Sequence, residues 1–169
     1  MDLSLNPPRF TPREFRELAA LYESNSDYCR ASGEFEPGRI TAAQMETALR
    51  EEAALDGSDI LLARDADGRL IALVELLTLN PADGYPWIGL LMVHGSLRRR
   101  GTGRVLVDLF ERRLRDGGAR SVRLAVLHTT PDAMAFRTAL GWRTVREAAD
   151  NQHGRSCVVM HKDLDGPVA

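Results

Sequence analysis

Apolar positions recur along the chain with two different periods, and the change from one period to the other predicts secondary structure. Residues 88–93 (IGLLMV) form a short continuous apolar run, which is typical of a strand covered on both faces. From Arg104 the period becomes helical, and the helix is predicted to end at Gly117-Gly118. Its buried face comprises Val105, Leu106, Leu109, Phe110 and Leu114. Residues 87–114 therefore predict a buried strand, a tight basic turn and an amphipathic helix.

The other elements follow from the same periods and from capping residues. Thr11-Pro12 with Glu14, and Thr41 with Gln44, have the composition of helix starts. Between these helices, residues 24–39 are polar and broken by glycine and proline, so they predict a loop. Further strands are predicted at 2–6, 59–64, 69–79, 121–127, 142–146 and 156–161, with a helix from Thr130 and a connection through Asp150–Arg155.

This order of elements predicts one α+β domain spanning residues 1–169. Its sheet is expected to be mixed but mostly antiparallel, with about seven strands flanked by about four helices. At 169 residues the chain is long enough for one well-buried core and rather short for two.

The turn between the central strand and its helix, RRRGTGR at residues 98–104, has the composition of a phosphate site. A helix start presents unpaired N–H groups and a positive dipole end. Glycines at 101 and 103 let a ligand approach the backbone, and the arginines add positive charge. Leu106 stands where a G-x-G-x-x-G loop needs its third glycine, and the chain has no Gly-Lys-Ser/Thr. The alternative is a solvated basic turn that happens to contain glycine.

Composition excludes several classes of function. The chain is 44% hydrophobic and 27% charged with a net charge of −2, so the arginine run is offset elsewhere and no nucleic-acid partner is expected. No apolar stretch approaches the roughly 20 residues that span a bilayer, and the N-terminus lacks the pattern of a signal peptide, so no membrane partner is expected. Cys29 and Cys157 lie in no ligand cluster, which predicts reduced thiols in the cytoplasm and no metal site.

Two motifs carry a resemblance to a known family. Arg98-x-x-Gly101-x-Gly103 after a strand ending at Val93 resembles the acyl-CoA pyrophosphate loop of the GNAT superfamily of N-acyltransferases. TPDAMAFRTALGW (130–142) resembles the second motif of that family, N-x-x-A-x-x-F-Y-x-x-x-G-F. The order of elements over nearly the whole chain is also similar to the GNAT fold.

The resemblance implies acetyl-CoA as co-substrate and an acetyl transfer to a primary amine by direct attack in a ternary complex. The acceptor would be a small-molecule or peptide amine, and a homodimer is compatible with the family. The central strand would hydrogen-bond the pantetheine arm, and the amides of the turn would hold the pyrophosphate. The implied cofactor-binding residues are Leu91, Met92, Val93, Arg98, Arg99, Arg100, Gly101, Thr102, Gly103, Arg104, Thr130 and Arg137.

Two positions depart from the family pattern. Thr130 stands where an Asn is usual, and Arg137 stands where many members have a Tyr that is thought to protonate the leaving thiolate. A thiol has a pKa of about 8.5, so solvent could protonate it instead. Arg137 could alternatively add charge beside a CoA phosphate. The same departure keeps open a second hypothesis, in which the chain is a non-catalytic acyl-CoA-binding or sensor protein.

The general base has to be sought outside residues 87–93. Glu75 interrupts the apolar run LIALV-E-LLTL, and burial there would raise its pKa towards that of a useful base. The alternative is a carboxylate at a strand edge that faces water. His128, just past a predicted strand, is the second candidate; His94, Tyr85 and a water molecule remain weaker ones.

Overall fold

The computed structural model describes residues 3–149 and 154–164, which form a mixed sheet with helices on both faces. The described strands are β1 Ser4–Asn6, β2 Ser58–Arg64, β3 Leu70–Leu77, β4 Trp87–Val93, β5 Ser121–Leu127, β6 Arg143–Ala149 and β7 Ser156–Asp163. The helices are α1 Pro12–Glu23, α2 Ser26–Ser32, α3 Ala42–Ala53, α4 Thr102–Asp116 and α5 Pro131–Ala139, with a 3₁₀ turn at Gly95–Leu97.

The sheet order is β1-β2-β3-β4-β5-β7-β6, and β4–β5 is its one parallel pair within the described residues. Alternate residues of β2 and β3 are buried on opposite faces, because both faces are covered by helices. Ile60 and Leu73 pack towards α1, α2 and α3, whereas Leu61 and Val74 pack towards α4. The continuous apolar runs seen in the sequence therefore correspond to central strands, and the mixed α+β architecture is confirmed.

The central pair of strands separates soon after it starts. β4 and β5 pair only at Trp87 with Arg123 and at Ile88 with Leu124. On the other side of β4, the register against β3 shifts between Glu75 and Leu76, which leaves Gly89 as an unpaired bulge residue. A bulge bends its strand, and beyond it β4 and β5 have no paired residues. The sheet is thus open at its centre on one side of this short pairing.

The predicted loop at 24–39 is wrong in part, because Ser26–Ser32 form α2. Cys29 is 1% exposed and Ser32 is also buried, but the helix has no extended stripe of apolar residues. Its C-cap, Gly33, has φ of 69°, the left-handed conformation that ends many helices. A helix of seven residues with a mostly polar sequence gives no periodic signal, which is why the sequence did not predict it. With α2 included, the described part of the chain has five helices, compared with the predicted number of about four.

Several predicted strand ends are shifted. The strand predicted at 69–79 ends at Leu77, since the backbone N–H of Thr78 turns to the carbonyl of Gly57. The last two strands are longer than predicted and reach Ala149 and Asp163. Residues 150–153 of the predicted connection, and residues 1 and 2 near the first strand, lie outside the described part of the chain.

The described residues contain neither a bilayer-spanning helix nor a cluster of metal-binding side chains. No helix within 3–149 or 154–164 has both the length and the apolar character needed to cross a bilayer. Among the same residues, no group of three or more His, Cys, Asp or Glu side chains is arranged to hold a metal ion.

Candidate active site

A cavity of about 390 Å³ fills the gap that opens between β4 and β5. One wall is the strand after the bulge, Gly89 to Leu91, and the other is Ala125 to Leu127. Because β5 has moved away, β4 beyond Ile88 has no strand on this side to take its outward backbone groups. A ligand with amide groups can therefore hydrogen-bond to β4 as an additional strand.

At the end of β4 the chain is fixed to the end of α1. The backbone N–H of Gly95 donates to Ser24 Oγ at 2.9 Å, and Asn25 Nδ2 donates to the carbonyls of Leu21 and Val93 at 2.8 and 3.1 Å. A Cβ on Gly95 would lie 2.1 Å from the carbonyl oxygen of Ser24, so only glycine fits this contact. These contacts set where the basic turn begins.

Two arginines of the basic turn, Arg98 and Arg99, form contacts with other parts of the protein. Arg98 donates through Nη2 to Asn25 Oδ1, so it anchors the turn to the end of α1. Arg99 has φ of 58° and forms an exposed ion pair of 3.0 Å with Asp132 at the start of α5. Arg100 has an exposed side chain, and so does Arg104. The turn is electropositive, but two of its four guanidiniums also have structural partners.

The two glycines of the turn have different tasks. Gly101 is the N-cap of α4 with φ of 83°, and no atom lies within 4 Å of a Cβ built on it. A Cβ on Gly103 would instead meet Cζ of Phe136 at 3.1 Å, so this glycine lets α5 pack against the first turn of α4. Thr102 between them is fully buried, so its side chain packs inside the protein rather than facing a ligand.

Helix α5 presents one face to the cavity. Thr130, Ala133 and Arg137 line it and are spaced at i, i+3 and i+7, which places them on one side of a helix. The hydroxyl of Thr130 donates to the carbonyl of Leu127 at 2.8 Å, so it closes the turn between β5 and α5.

Arg137 is the most unusual residue of this face. It is 8% exposed, and its Nη1 is a buried donor with no hydrogen-bond partner among residues 3–149 and 154–164. Burial lowers the pKa of Arg137 to about 10, and the carboxylate of Glu111 acts in the opposite direction. Glu111 itself is 4% exposed and accepts from Lys162 Nζ at 2.8 Å through both oxygens.

The structure places Glu75 in the cavity wall on β3, opposite Leu90 of β4. It is neither fully buried nor freely exposed. Burial raises the pKa of Glu75 to about 8, and the nearby carboxylates of Glu52 and Glu34 contribute to the rise. Both also line the cavity, together with Tyr22 and Tyr28.

The other candidate bases lie away from this cavity wall. His128 is exposed, and its Nε2 is 2.6 Å from Oε2 of Glu147 on β6. His94 contacts Ser96, with Nδ1 2.9 Å from Oγ. Tyr85 packs its ring edge-to-face on His161 and under the guanidinium of Arg123 at 3.8 Å. The geometry therefore brings Glu75, Leu91, Thr130 and Arg137 to one cavity and leaves His128 outside it.

Of the remaining predicted residues, Met92 and Val93 lie on β4, where their backbone groups are available for a ligand. The side chain of Met92 is 4% exposed and belongs to the core under α1. The carbonyl of Val93 already accepts from Asn25. Ser24, Asn25 and Gly89 were not predicted from the sequence, although a glycine inside an apolar strand is a known sign of a bulge.

A comparison with protein families finds a match that covers most of the chain. The model of the "Acetyltransferase (GNAT) family" matches residues 18–142. The chain is also 38% identical over 106 residues to mycothiol acetyltransferase of Kineococcus radiotolerans. That match covers 60% of this chain and 34% of the relative, so the chain spans about a third of the length of the curated relative.

Solved structures share the fold at low sequence identity. An acetyltransferase from Thermus thermophilus superposes with a TM-score of 0.79 at 20% identity, covering 96% of this chain and 97% of that one. Spermidine N-acetyltransferase from Vibrio cholerae, in complex with CoA and spermine, gives 0.72 at 16% identity over 96% and 95%. At such identities these structures support the fold alone.

Proposed function

Because the chain belongs to the acetyltransferase (GNAT) family, we propose that it moves an acetyl group from acetyl-CoA to a primary amine. The amine attacks the thioester directly while both substrates are bound. The observation that supports this proposal is the cavity between β4 and β5, which joins an open strand edge to a carboxylate with a raised pKa.

The CoA half of the site consists of backbone more than side chains. The amide groups of the pantetheine arm would pair with β4 at Leu91, Met92 and Val93, where β5 no longer competes. The pyrophosphate would lie on the N–H groups at the start of α4, with Arg98, Arg99, Arg100 and Arg104 supplying positive charge around it. The side chain of Thr102 takes no part, since it is buried.

The chemical half of the site needs a base, a polarised carbonyl and a leaving group. Glu75 is the proposed base, because a carboxylate with a pKa of about 8 is charged only in part at neutral pH and accepts a proton more readily than an exposed one. Backbone N–H groups of β4 near Gly89 would polarise the thioester carbonyl. His128 remains a second candidate, although it does not line the cavity.

The acceptor is proposed to be a small-molecule or peptide amine that arrives as an ammonium ion. Glu34, Glu52 and Glu75 line the same cavity, together with Arg137 and Arg155, so carboxylates are present there to pair with an ammonium ion. Among the proteins this chain is similar to, one is named for mycothiol and another for spermidine. We also propose a cytoplasmic location, where buried thiols such as those of Cys29 and Cys157 stay reduced.

The experiment that tests the function measures CoA binding and turnover separately. Calorimetry with CoA tests the binding half. Release of free thiol from acetyl-CoA in the presence of polyamines, aminoglycosides, amino sugars and peptides with free N-termini tests the transfer. Binding with turnover of at least one amine confirms the proposal. CoA binding without turnover of any of them favours an acyl-CoA-binding or sensor protein, and absence of CoA binding refutes both.

A further inference from the structure

The guanidinium of Arg137 is buried without an anion of its own. Its Nη1 has no hydrogen-bond partner in the part of the chain that the structure describes, and the whole residue is 8% exposed. Glu111 is the carboxylate that acts on it, but both oxygens of Glu111 are held at 2.8 Å by Lys162. A buried charge is unfavourable unless a counter-charge or hydrogen bonds compensate it.

The surroundings of Arg137 compensate this charge only in part. Its guanidinium carbon lies 5.5 Å from the ring centre of Phe136 and 5.9 Å from that of Trp142, distances at which cation–π attraction operates. The one polar atom of the Trp142 side chain, Nε1, is a donor and is itself buried without a partner among the described residues. Neither neighbour can accept a hydrogen bond from Arg137 through a polar side-chain atom.

Arg137 belongs to the wall of the cavity rather than to the basic turn. Arg137 shares the cavity-facing side of α5 with Thr130 and Ala133, next to the gap between the strands. The residues that line this cavity include none of the basic turn at 98–104. The anion that fits this place is formed within the cavity rather than at its mouth.

We propose that Arg137 is a catalytic residue whose positive charge stabilises the sulfur of CoA as it leaves. This inference rests on the proposed acetyl transfer. Glu75 takes one proton from the acceptor ammonium, and the free amine forms a C–N bond with the thioester carbonyl carbon. The C–S bond then breaks and its electron pair goes to sulfur beside Arg137. The nitrogen loses its second proton, the thiolate takes one from solvent, and one proton is released overall.

In this step Arg137 acts as a fixed charge and keeps its own proton. Its pKa of about 10 leaves it charged at neutral pH. A Tyr at this position would donate a proton, whereas a guanidinium lowers the pKa of the leaving thiol and lets it depart unprotonated. The departure from the family pattern at residue 137 would therefore change how the leaving group is stabilised.

The test is the pKa of the CoA thiol when CoA is bound to the protein. Thiolate absorbs in the ultraviolet where thiol does not, so a pH titration of the CoA complex against the desulfo-CoA complex gives that pKa directly. We expect a value at least one unit below the usual thiol pKa of about 8.5 for the parent protein and for Arg137→Lys. In Arg137→Gln the value should return to about 8.5 or higher.

A second measurement requires no variant. The parent should bind CoA more tightly than desulfo-CoA, and the preference should grow as pH rises through the pKa of the bound thiol. An unshifted thiol pKa in the parent, or the same shift in Arg137→Gln, overturns the proposal while CoA binding still supports the family function. An equal loss of affinity for both ligands in Arg137→Gln also overturns it and assigns the guanidinium to a phosphate. Arg99→Gln is the matched control that should weaken both ligands equally.

Discussion

Ser24, at the end of α1, accepts a hydrogen bond of 2.9 Å from the backbone N–H of Gly95, at the start of the 3₁₀ turn. The same two residues are in such close contact that a Cβ on Gly95 would lie 2.1 Å from the carbonyl oxygen of Ser24. The N-terminal helix thus fixes the position of the strand end and of the basic turn behind it. The proposed phosphate site therefore depends on the contact between Ser24 and Gly95, which lies outside the turn that contains Gly101 and Gly103.

Gly95→Ala should therefore disturb the turn and weaken CoA binding. The added methyl group would push Ser24 away, and overpacking of this kind costs about 1–3 kcal/mol of folding free energy. Denaturant unfolding and calorimetry with CoA measure the two effects. Gly117→Ala is the control, because its Cβ would be 3.4 Å from the carbonyl oxygen of Leu114 and its φ is −78°. Equal behaviour of the two variants would contradict the assigned role of Gly95.

A matched pair at Gly101 tests the phosphate site itself. Asn and Asp have nearly the same shape and both tolerate a positive φ better than other residues do. A Cβ at this position has open space around it. Gly101→Asn should keep CoA affinity within a few-fold, whereas Gly101→Asp should weaken it by about tenfold or more, since its charge opposes the pyrophosphate. Equal affinities of the two variants by calorimetry would place the phosphates elsewhere.

Glu75→Gln tests the proposed base, since it keeps the shape of the side chain and removes its basicity. General-base assistance is typically worth about 10²–10⁴-fold, so kcat should fall by a factor in that range at neutral pH. Part of the rate should return at high pH, where the amine deprotonates without help. CoA affinity should be unchanged in calorimetry. A variant that matches the parent at every pH would show that Glu75 is structural, and the same measurement on His128→Gln would then identify the alternative.

The same carboxyl should make the stability of the protein depend on pH. Its pKa of about 8 in the folded state lies above the ordinary value of 4.5. Between these values the folded chain binds more protons than the unfolded chain, so stability falls as pH rises, by up to about 1.4 kcal/mol per unit. Thermal unfolding from about pH 5 to about pH 9 should show this slope in the parent and a shallower one in Glu75→Gln. Parallel slopes would mean that Glu75 titrates normally.

Lys162→Met should destabilise the protein strongly, because it leaves Glu111 buried without its partner. Loss of one member of a buried ion pair costs about 3–5 kcal/mol. Arg143→Met removes a cation from an exposed pair with Asp163, where the side chains are 61% and 65% exposed. That control should change stability by less than about 1 kcal/mol. Urea unfolding of both variants makes the comparison, and similar losses would show that the Glu111 pair is no stronger than a surface pair.

The central strand, the basic turn and helix α4 could be predicted because their signals are local. Six residues in an apolar run, two glycines and a helical stripe of apolar side chains each report on their own neighbourhood. Helix α2 was missed because one buried cysteine on a short polar segment has no periodicity. Its capping glycine, Gly33, could equally have belonged to a turn.

The contacts that assemble the candidate site could not be predicted, because they join distant parts of the chain. Asn25 and Arg98 are 73 residues apart, and Glu111 and Lys162 are 51 apart. A single sequence contains no pairwise information of this kind. Glu75 was recognisable as an anomaly within an apolar strand, yet only the fold shows that Glu34 and Glu52 stand near it.

Because β4 and β5 pair over only two residues each, bound CoA would stabilise the sheet as well as take part in the reaction. Two pairs of residues join the strands of the N-terminal half of the sheet to those of the C-terminal half. A pantetheine arm bound along β4 would add hydrogen bonds to the region where these two strands are unpaired. Amide hydrogen exchange in β4 and β5 should then slow when CoA binds, and at about 100 times Kd the ligand would stabilise the fold by about 2.7 kcal/mol. The stability of the contact between the two halves of the sheet would therefore increase with the concentration of CoA.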